Sequence, residues 1–428
     1  MKHQVIEHKL ACGAQGLVVN APGSSVVNVV IRFNSGFQFT DRAHYEIPHV
    51  TEHLISCGSQ AYPTPGDLKV EFQKNGAYRN AYTNSSINGY VVECAEFELD
   101  RILDLMEEYL VRPTFPVEAF ATEVSNVREE LSRVTTQHGS VCAMALAERA
   151  FPQENLNFDA RIEQLAGFTH RQVLDHYEAT HTSANARFYV AGSFTDGGAA
   201  VVRRLERLLE QLPKGRRRKL RGEMGVGQAA PVVTLRDIRQ IYYNLDFYAP
   251  ESSQELRYAL VILRTILTGG YQSRVYGQAR QRGLAYAVSS PTFAGPGETS
   301  FGYAGYVTAP NIKELFALAA REYRSICDGE VTTAELESAK QLIVGSSLRS
   351  HQTPGDVLGW YLDRYDREET IIDYDDYQAA LKNVTAEQVI EVARQIVAPG
   401  ARGFSLLGDL TAAQAEGYLE PLKAMWQL

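Results

Sequence analysis

Thr169-His170-Arg171-Gln172-Val173-Leu174 returns 216 residues later (385 − 169) as Thr385-Ala386-Glu387-Gln388-Val389-Ile390. Gly192, which closes a strand-like segment, precedes Gly408 by the same 216 residues (408 − 192). Two matches that share one offset, close to half of a 428-residue chain, argue for duplication. The chain is therefore read as two homologous halves, residues 1–212 and 223–428, joined by residues 213–222.

The periodicity on either side of the repeat supports this. In the first half, the valine-rich Ser25 to Phe33 predicts a strand, Glu46 to Ser56 a helix with Pro48 in its first turn, and Gly89 to Cys94 a second strand. Long helical patterns follow at Glu98 to Val111 and Pro116 to Val134, and Ala186 to Ala191 closes as a strand. The second half repeats this order. Ile241 to Tyr248 predicts a strand, Gln254 to Leu267 a helix and Ser300 to Val307 a strand. Ile312 to Cys327 and Thr333 to Ser350 predict long helices, and Gly403 to Leu407 a final strand. The segment between the halves, Pro213-Lys214-Gly215-Arg216-Arg217-Arg218-Lys219-Leu220-Arg221, reads as a solvated linker whose like charges keep it extended, rather than as a nucleic-acid patch.

Composition bounds the function. Apolar residues at 45% and charged residues at 22% give ordinary globular material and exclude disordered, collagen-like and coiled-coil chains. With 42 basic against 51 acidic residues the net charge is −9, which argues against a nucleic-acid partner. Five scattered cysteines with no Cys-x-x-Cys pair exclude a thiolate zinc ribbon and a disulfide framework, and fit a reducing compartment. No stretch approaches the roughly 20 apolar residues needed to cross a bilayer. The charged start, Met1-Lys2-His3, lacks the apolar core of a signal peptide. A cytoplasmic protein without a membrane partner is expected.

The chemistry is concentrated in Pro48-His49-Val50-Thr51-Glu52-His53-Leu54. On a helix, residues four apart share a face, so His49 and His53 can ligate one ion, and imidazole is a good zinc ligand. Glu52, three residues after His49, shares that side. Without being a ligand, it can take a proton from a water that the ion activates, which is zincin logic with the motif reversed. A catalytic zinc needs a third protein ligand and an open position. Downstream, Glu123-Val124-Ser125-Asn126-Val127-Arg128-Glu129-Glu130-Leu131 sets Glu123 and Glu130 two helical turns apart, so one can ligate while the other supports it. Helical spacing alone does not choose between Glu129 and Glu130. Shifted by 216, His49, Glu52 and His53 fall on Thr265, Thr268 and Gly269, so the second half carries no such site.

His49-x-x-Glu52-His53 with the spaced glutamates resembles the inverzincin family that includes pitrilysin, insulin-degrading enzyme and mitochondrial processing peptidase. In that family the third ligand lies about 77 residues beyond the second histidine, which selects Glu130 (130 − 53), and an acid seven residues earlier, here Glu123, supports the site. Asn80-Ala81-Tyr82-Thr83 resembles the family's edge-strand segment that receives substrate backbone by β-augmentation. Arg282-Gly283-Leu284-Ala285-Tyr286 is similar to the segment whose tyrosine stabilises the oxyanion, a role the resemblance implies for Tyr286. One departure stands out: family members pair that tyrosine with an arginine seven residues earlier, and this chain has Ala279 there, with Arg280 adjacent and Arg282 close by.

The resemblance implies an α+β fold of two homologous domains, each an antiparallel β-sheet covered by α-helices on one side. It also implies one Zn²⁺ per chain, held by His49, His53 and Glu130, and a metallopeptidase that cleaves peptides or unfolded segments. A clamshell homodimer is the expected assembly, and a heterodimer whose partner supplies the arginine–tyrosine pair is second. A non-catalytic subunit would usually have lost a ligand or Glu52, and a structural zinc site would have four protein ligands.

Overall fold

The computed structural model describes residues 1–219, 231–295, 297–398 and 401–425. The first half runs β1 (Gln4–Lys9), β2 (Gln15–Asn20), β3 (Val26–Asn34), α1 (Ile47–Ile55), α2 (Asp67–Gln73), β4 (Tyr78–Thr83), β5 (Ile87–Ala95), α3 (Leu99–Val111), α4 (Val117–Val134), α5 (His138–Ala150), α6 (Phe158–Gln164), α7 (His170–Thr180), β6 (Ala186–Gly192) and α8 (Ala199–Leu209). The second runs β7 (Val232–Leu235), β8 (Gln240–Ala249), α9 (Gln254–Thr268), α10 (Tyr276–Gln281), β9 (Ala287–Ser289), β10 (Thr292–Gly295), β11 (Glu298–Thr308), α11 (Ile312–Cys327), α12 (Thr333–Arg349), α13 (Pro354–Glu368), α14 (Tyr374–Asn383), α15 (Ala386–Val397), β12 (Ala401–Gly408) and α16 (Ala412–Leu419).

The offset read from the sequence recurs in the elements. Val117, His138, Phe158 and His170 open helices 216 residues before Thr333, Pro354, Tyr374 and Ala386 do. The repeated Thr-x-x-Gln is a capping box in both copies. The Thr169 hydroxyl accepts from the Gln172 N–H and the Gln172 side chain accepts from the Thr169 N–H, and Thr385 with Gln388 does the same. Two otherwise orphan donors are satisfied at each helix start.

The chain separates into two compact units, and neither is a contiguous half. One gathers Met1–Arg133, the stretch from Asp159 into the linker, and Arg349–Ile371; the other contains Val134–Phe158 and the rest of the second half. The segments exchanged contain α5 and α13, which are counterparts under the 216-residue shift. Each unit thus completes itself with the equivalent helix of the other half.

In the first unit the sheet order is β1-β2-β6-β3-β5-β4, and in the second β10-β11-β8-β12-β7, with β9 on β11. The α+β, two-domain architecture expected from the sequence is present, with two refinements. Each sheet is antiparallel except for one parallel pair, β2 with β6 and β12 with β7. Helices also cover both faces of the first sheet rather than one. Leu17, Val19, Val30, Tyr189 and Ala191 pack against Val357, Leu358, Tyr361, Leu362 and Tyr365 of α13. Their neighbours one residue on face the other way, where Tyr90 meets Tyr109 of α3 at 5.3 Å and Phe33 meets His181 at 4.4 Å. β6 is buried at every residue, as a strand covered on both faces must be.

Charge fixes α13 as well. Arg32 donates to Asp363 at 2.8 Å and to Asp366 at 2.7 Å, Tyr189 donates to Asp366, and Arg187 pairs with Glu369. Arg217 of the basic linker lies 3.8 Å from Glu369, and the Arg218 N–H donates to Asn185. This part of the linker is therefore tied to the first unit rather than solvated throughout. Residues 220–222 of it lie outside the described residues.

Candidate metal centre

α1 turns its apolar face inward: Ile47, Pro48, Val50, Thr51, Leu54 and Ile55 are buried. That leaves His49, Glu52 and His53 on the opposite, partly open face. α4 brings two carboxylates to that face. Glu130 Oε2 lies 3.5 Å from His49 Nε2 and 3.6 Å from His53 Nε2. The two rings are 5.0 Å apart and nearly perpendicular. One donor atom from each of His49, His53 and Glu130 falls within 4.8 Å of the others, the grouping expected from the sequence. Glu129, the alternative left open by spacing, is not part of it.

Each imidazole has its other nitrogen engaged. His53 Nδ1 meets Glu123 Oε2 at 3.1 Å, and Glu123 is held in turn by Asn126 Nδ2 at 3.0 Å and by the Cys57 thiol at 3.2 Å. His49 Nδ1 meets Glu46 Oε2 at 3.0 Å, and the other oxygen of Glu46 accepts from Arg161. The sequence reading identified Glu123 and missed Glu46, Arg161, Cys57 and Asn126. A hint was available for Glu46, which stands one helical turn before His49. Two imidazoles and a carboxylate, with both outer nitrogens already bonded to carboxylates, are a donor set that fits a zinc ion.

The electrostatics agree. Burial alone would push His49 down, but hydrogen bonds to Glu130 and Glu46 outweigh it and raise it to about 10. His53 is also raised, against burial, by Glu123 and Glu130. Hydrogen bonds from His49 and His53 hold Glu130 well below the usual carboxylate range. Burial opposes the same change at Glu123, which its bonds to His53, Asn126 and Cys57 still lower to about 2. Such a field favours any cation placed between these groups.

Glu52 stands beside the pair, and Thr83 donates its hydroxyl to Glu52 Oε2 at 2.7 Å. Asn88 anchors this contact by donating to Thr83 Oγ1 at 2.6 Å. Thr83 ends β4, the outermost strand of its sheet, paired on one side only, with β5. Asn80 is exposed on that strand and Ala81 half-buried. Tyr82 is pinned: its hydroxyl accepts from Arg32 at 2.5 Å and its ring covers Gly89, where an added Cβ would sit 2.3 Å from Tyr82 Cζ.

Tyr286 belongs to the second unit and is 69% exposed. Gly283, with φ of +65°, reverses the chain after α10 so that the Leu284 N–H reaches the Ala279 carbonyl at 2.9 Å. The turn lays Tyr286 beneath Arg280, whose guanidinium is 4.2 Å from the ring centre. Ala279 is fully buried and Arg282 pairs with Glu314, so Arg280 is the arginine that meets the tyrosine. At the counterparts of the metal ligands, Thr265 donates to its own helix at Val261 and Thr268 at Arg264.

Two family models match the chain: insulinase, peptidase family M16, over residues 17–160, and the peptidase M16 inactive domain over residues 167–343. An uncharacterized zinc protease of Mycobacterium leprae is 26% identical over 82% of this chain and 79% of its own length. One from Bacillus subtilis is 21% identical over 90% and 93%. A crystal structure titled peptidase M16 inactive domain, from Pseudomonas fluorescens, superposes with a TM-score of 0.84 at 16% identity, covering 95% of this chain and 98% of that one. A protease from Helicobacter pylori gives 0.81 at 19%, covering 95% and 99%.

Proposed function

The chain belongs to the insulinase family, peptidase M16, and from that premise we propose that it is a zinc-dependent endopeptidase acting on extended peptides or unfolded segments. The observation that carries this reading is the convergence of His49 Nε2, His53 Nε2 and Glu130 Oε2, with Glu52 beside them and tied to the open edge strand by Thr83.

His49, His53 and Glu130 would hold one ion. Bound there, zinc supplies Lewis-acid activation of a water and of a peptide carbonyl. The other tasks fall to the chain's own residues. Glu52 Oε2 is occupied by the Thr83 hydroxyl, which leaves Oε1 to take a proton and return it to the departing amine. Glu123 orients His53. The free side of β4, around Asn80 and Ala81, pairs with substrate backbone and so accepts many sequences. Tyr286, stacked under Arg280, stabilises the oxyanion. We read the working assembly as a homodimer in which the tyrosine comes from a second copy; its exposure supports this. The contact of Arg280 with Tyr286 weakens the case for a heterodimer that supplies the pair, because the chain has a pair of its own. Five unpaired cysteines suit a reducing, cytoplasmic setting, and no helix among the described residues is long and apolar enough to cross a membrane.

The test is cleavage of a mixed peptide library by purified protein, with and without chelator, beside Glu52→Gln. Chelator-sensitive cleavage, lost in Glu52→Gln and restored by zinc to the unaltered chain, is expected. Chelator-resistant cleavage or an undiminished Glu52→Gln protein would overturn the proposal.

A further inference from the structure

Glu46 is fully buried at the mouth of α1, a costly position for a carboxylate unless its charge is met. The structure meets it completely. Arg161 of α6 donates Nε to Oε1, and its guanidinium lies 4.9 Å from the Phe37 ring centre and 5.4 Å from that of Tyr45. Gln164, on the same helix, accepts from the Glu46 N–H at 3.2 Å. The remaining oxygen, Oε2, is directed at His49 Nδ1, 3.0 Å away. Nothing in the packing of α1 requires a carboxylate here; the group that uses it is the imidazole.

We propose that Glu46 is a positioning residue of the metal centre, which fixes the ring and tautomer of His49 so that Nε2 carries the lone pair, and that Arg161 holds Glu46 in that pose. The inference rests on the metal reading above and extends it. A carboxylate that accepts from Nδ1–H makes Nε2 a stronger donor to an ion. His53 has the same arrangement through Glu123, but Glu123 is held by neutral donors, Asn126 and Cys57, whereas Glu46 is held by a cation. The two histidines are thus tuned by different means. The first device is built by α6, whose Arg161 lies 115 residues from Glu46.

The experiment measures zinc affinity of the full-length protein by competition with a chromophoric chelator. It compares the unaltered chain, Glu46→Gln, Glu46→Asp and the double variant Glu46→Gln/Arg161→Gln, with thermal unfolding of the metal-free forms as the control for folding. Glu46→Gln leaves Arg161 buried without its charge partner, and the double variant removes that strain while still lacking the carboxylate. Zinc affinity is expected to fall about 10- to 100-fold in both, with Glu46→Asp recovering part of it. Melting temperature should fall in the single variant and recover in the double. Unaltered zinc affinity in the folded double variant, or loss that tracks melting temperature alone, would overturn the proposal. Absence of zinc binding by the unaltered chain would overturn the metal reading itself, and the two failures are distinguishable.

Discussion

Thr83 donates its hydroxyl proton to Glu52 and accepts from Asn88, so one side chain joins the proposed base to the strand that would bind substrate. Thr83→Val keeps the shape and removes both bonds. The expected result is about a tenfold fall in kcat with little change in KM and unchanged zinc content, because the base loses orientation while substrate pairing and metal ligands stay. A fall confined to KM would move Thr83 back to the backbone-contact role read from the sequence. At this scale legibility followed locality. His49, Glu52 and His53 lie within two helical turns, and the seven-residue spacing of Glu123 and Glu130 is regular, so periodicity exposed them. Contacts made by folding were hidden: Thr83 to Glu52 spans 31 residues, Cys57 to Glu123 spans 66, and Arg161 to Glu46 spans 115. No local pattern encodes such pairs.

At the scale of elements, β4 is an edge kept in place by one close approach. Gly89→Ala would drive a Cβ into the Tyr82 ring, displacing the strand while leaving α1 and α4 alone. KM for peptides should rise severalfold with zinc affinity unchanged; unaltered KM would show that substrate does not pair with β4. α7 carries a different liability. Burial, with its Nε2 donating to the Ser35 carbonyl at 3.0 Å, leaves His176 lowered to about 4, and burial together with His176 lowers His181 further. Unfolded histidine titrates near 6.5. Between these values the unfolded chain binds more protons, so stability is full above about pH 6.5 and is lost as pH falls toward 4. For His176 the loss reaches about 3 kcal/mol at the acid end. Urea unfolding from pH 7 to pH 4 should show a steeper decline in the unaltered chain than in His176→Gln, which keeps a donor for Ser35 without the titration. Parallel declines would refute this account. Strand and helix positions were largely legible from periodicity, but β1, β2, α5 and α13 were not, since the first pair is short and the second pair is placed by its partners.

At the scale of the molecule, the duplication was legible and the exchange of helices was not, because an offset records ancestry and not which copy a helix packs on. The exchange has an energetic consequence. Without α13, the face formed by Leu17, Val19, Val30, Tyr189 and Ala191 would be open to water. Arg187, 1% exposed, would lose Glu369, and Arg32 would lose Asp363 and Asp366. Breaking one buried pair costs about 3–5 kcal/mol, and a whole domain is stable by only about 5–15 kcal/mol. The second unit depends on α5 in the same way: the Cys142 thiol donates to the Ser405 carbonyl at 3.4 Å, and Leu146 packs so closely on Gly403 that an added Cβ would sit 2.5 Å from it. A chain ending at residue 219 and a chain beginning at residue 231 should therefore each lack native near-ultraviolet dichroism and a cooperative thermal transition. Mixed or co-expressed, they should regain both, with zinc binding restored only in the mixture. Cooperative unfolding of the first fragment alone would mean that α13 is dispensable to the unit that carries the metal centre.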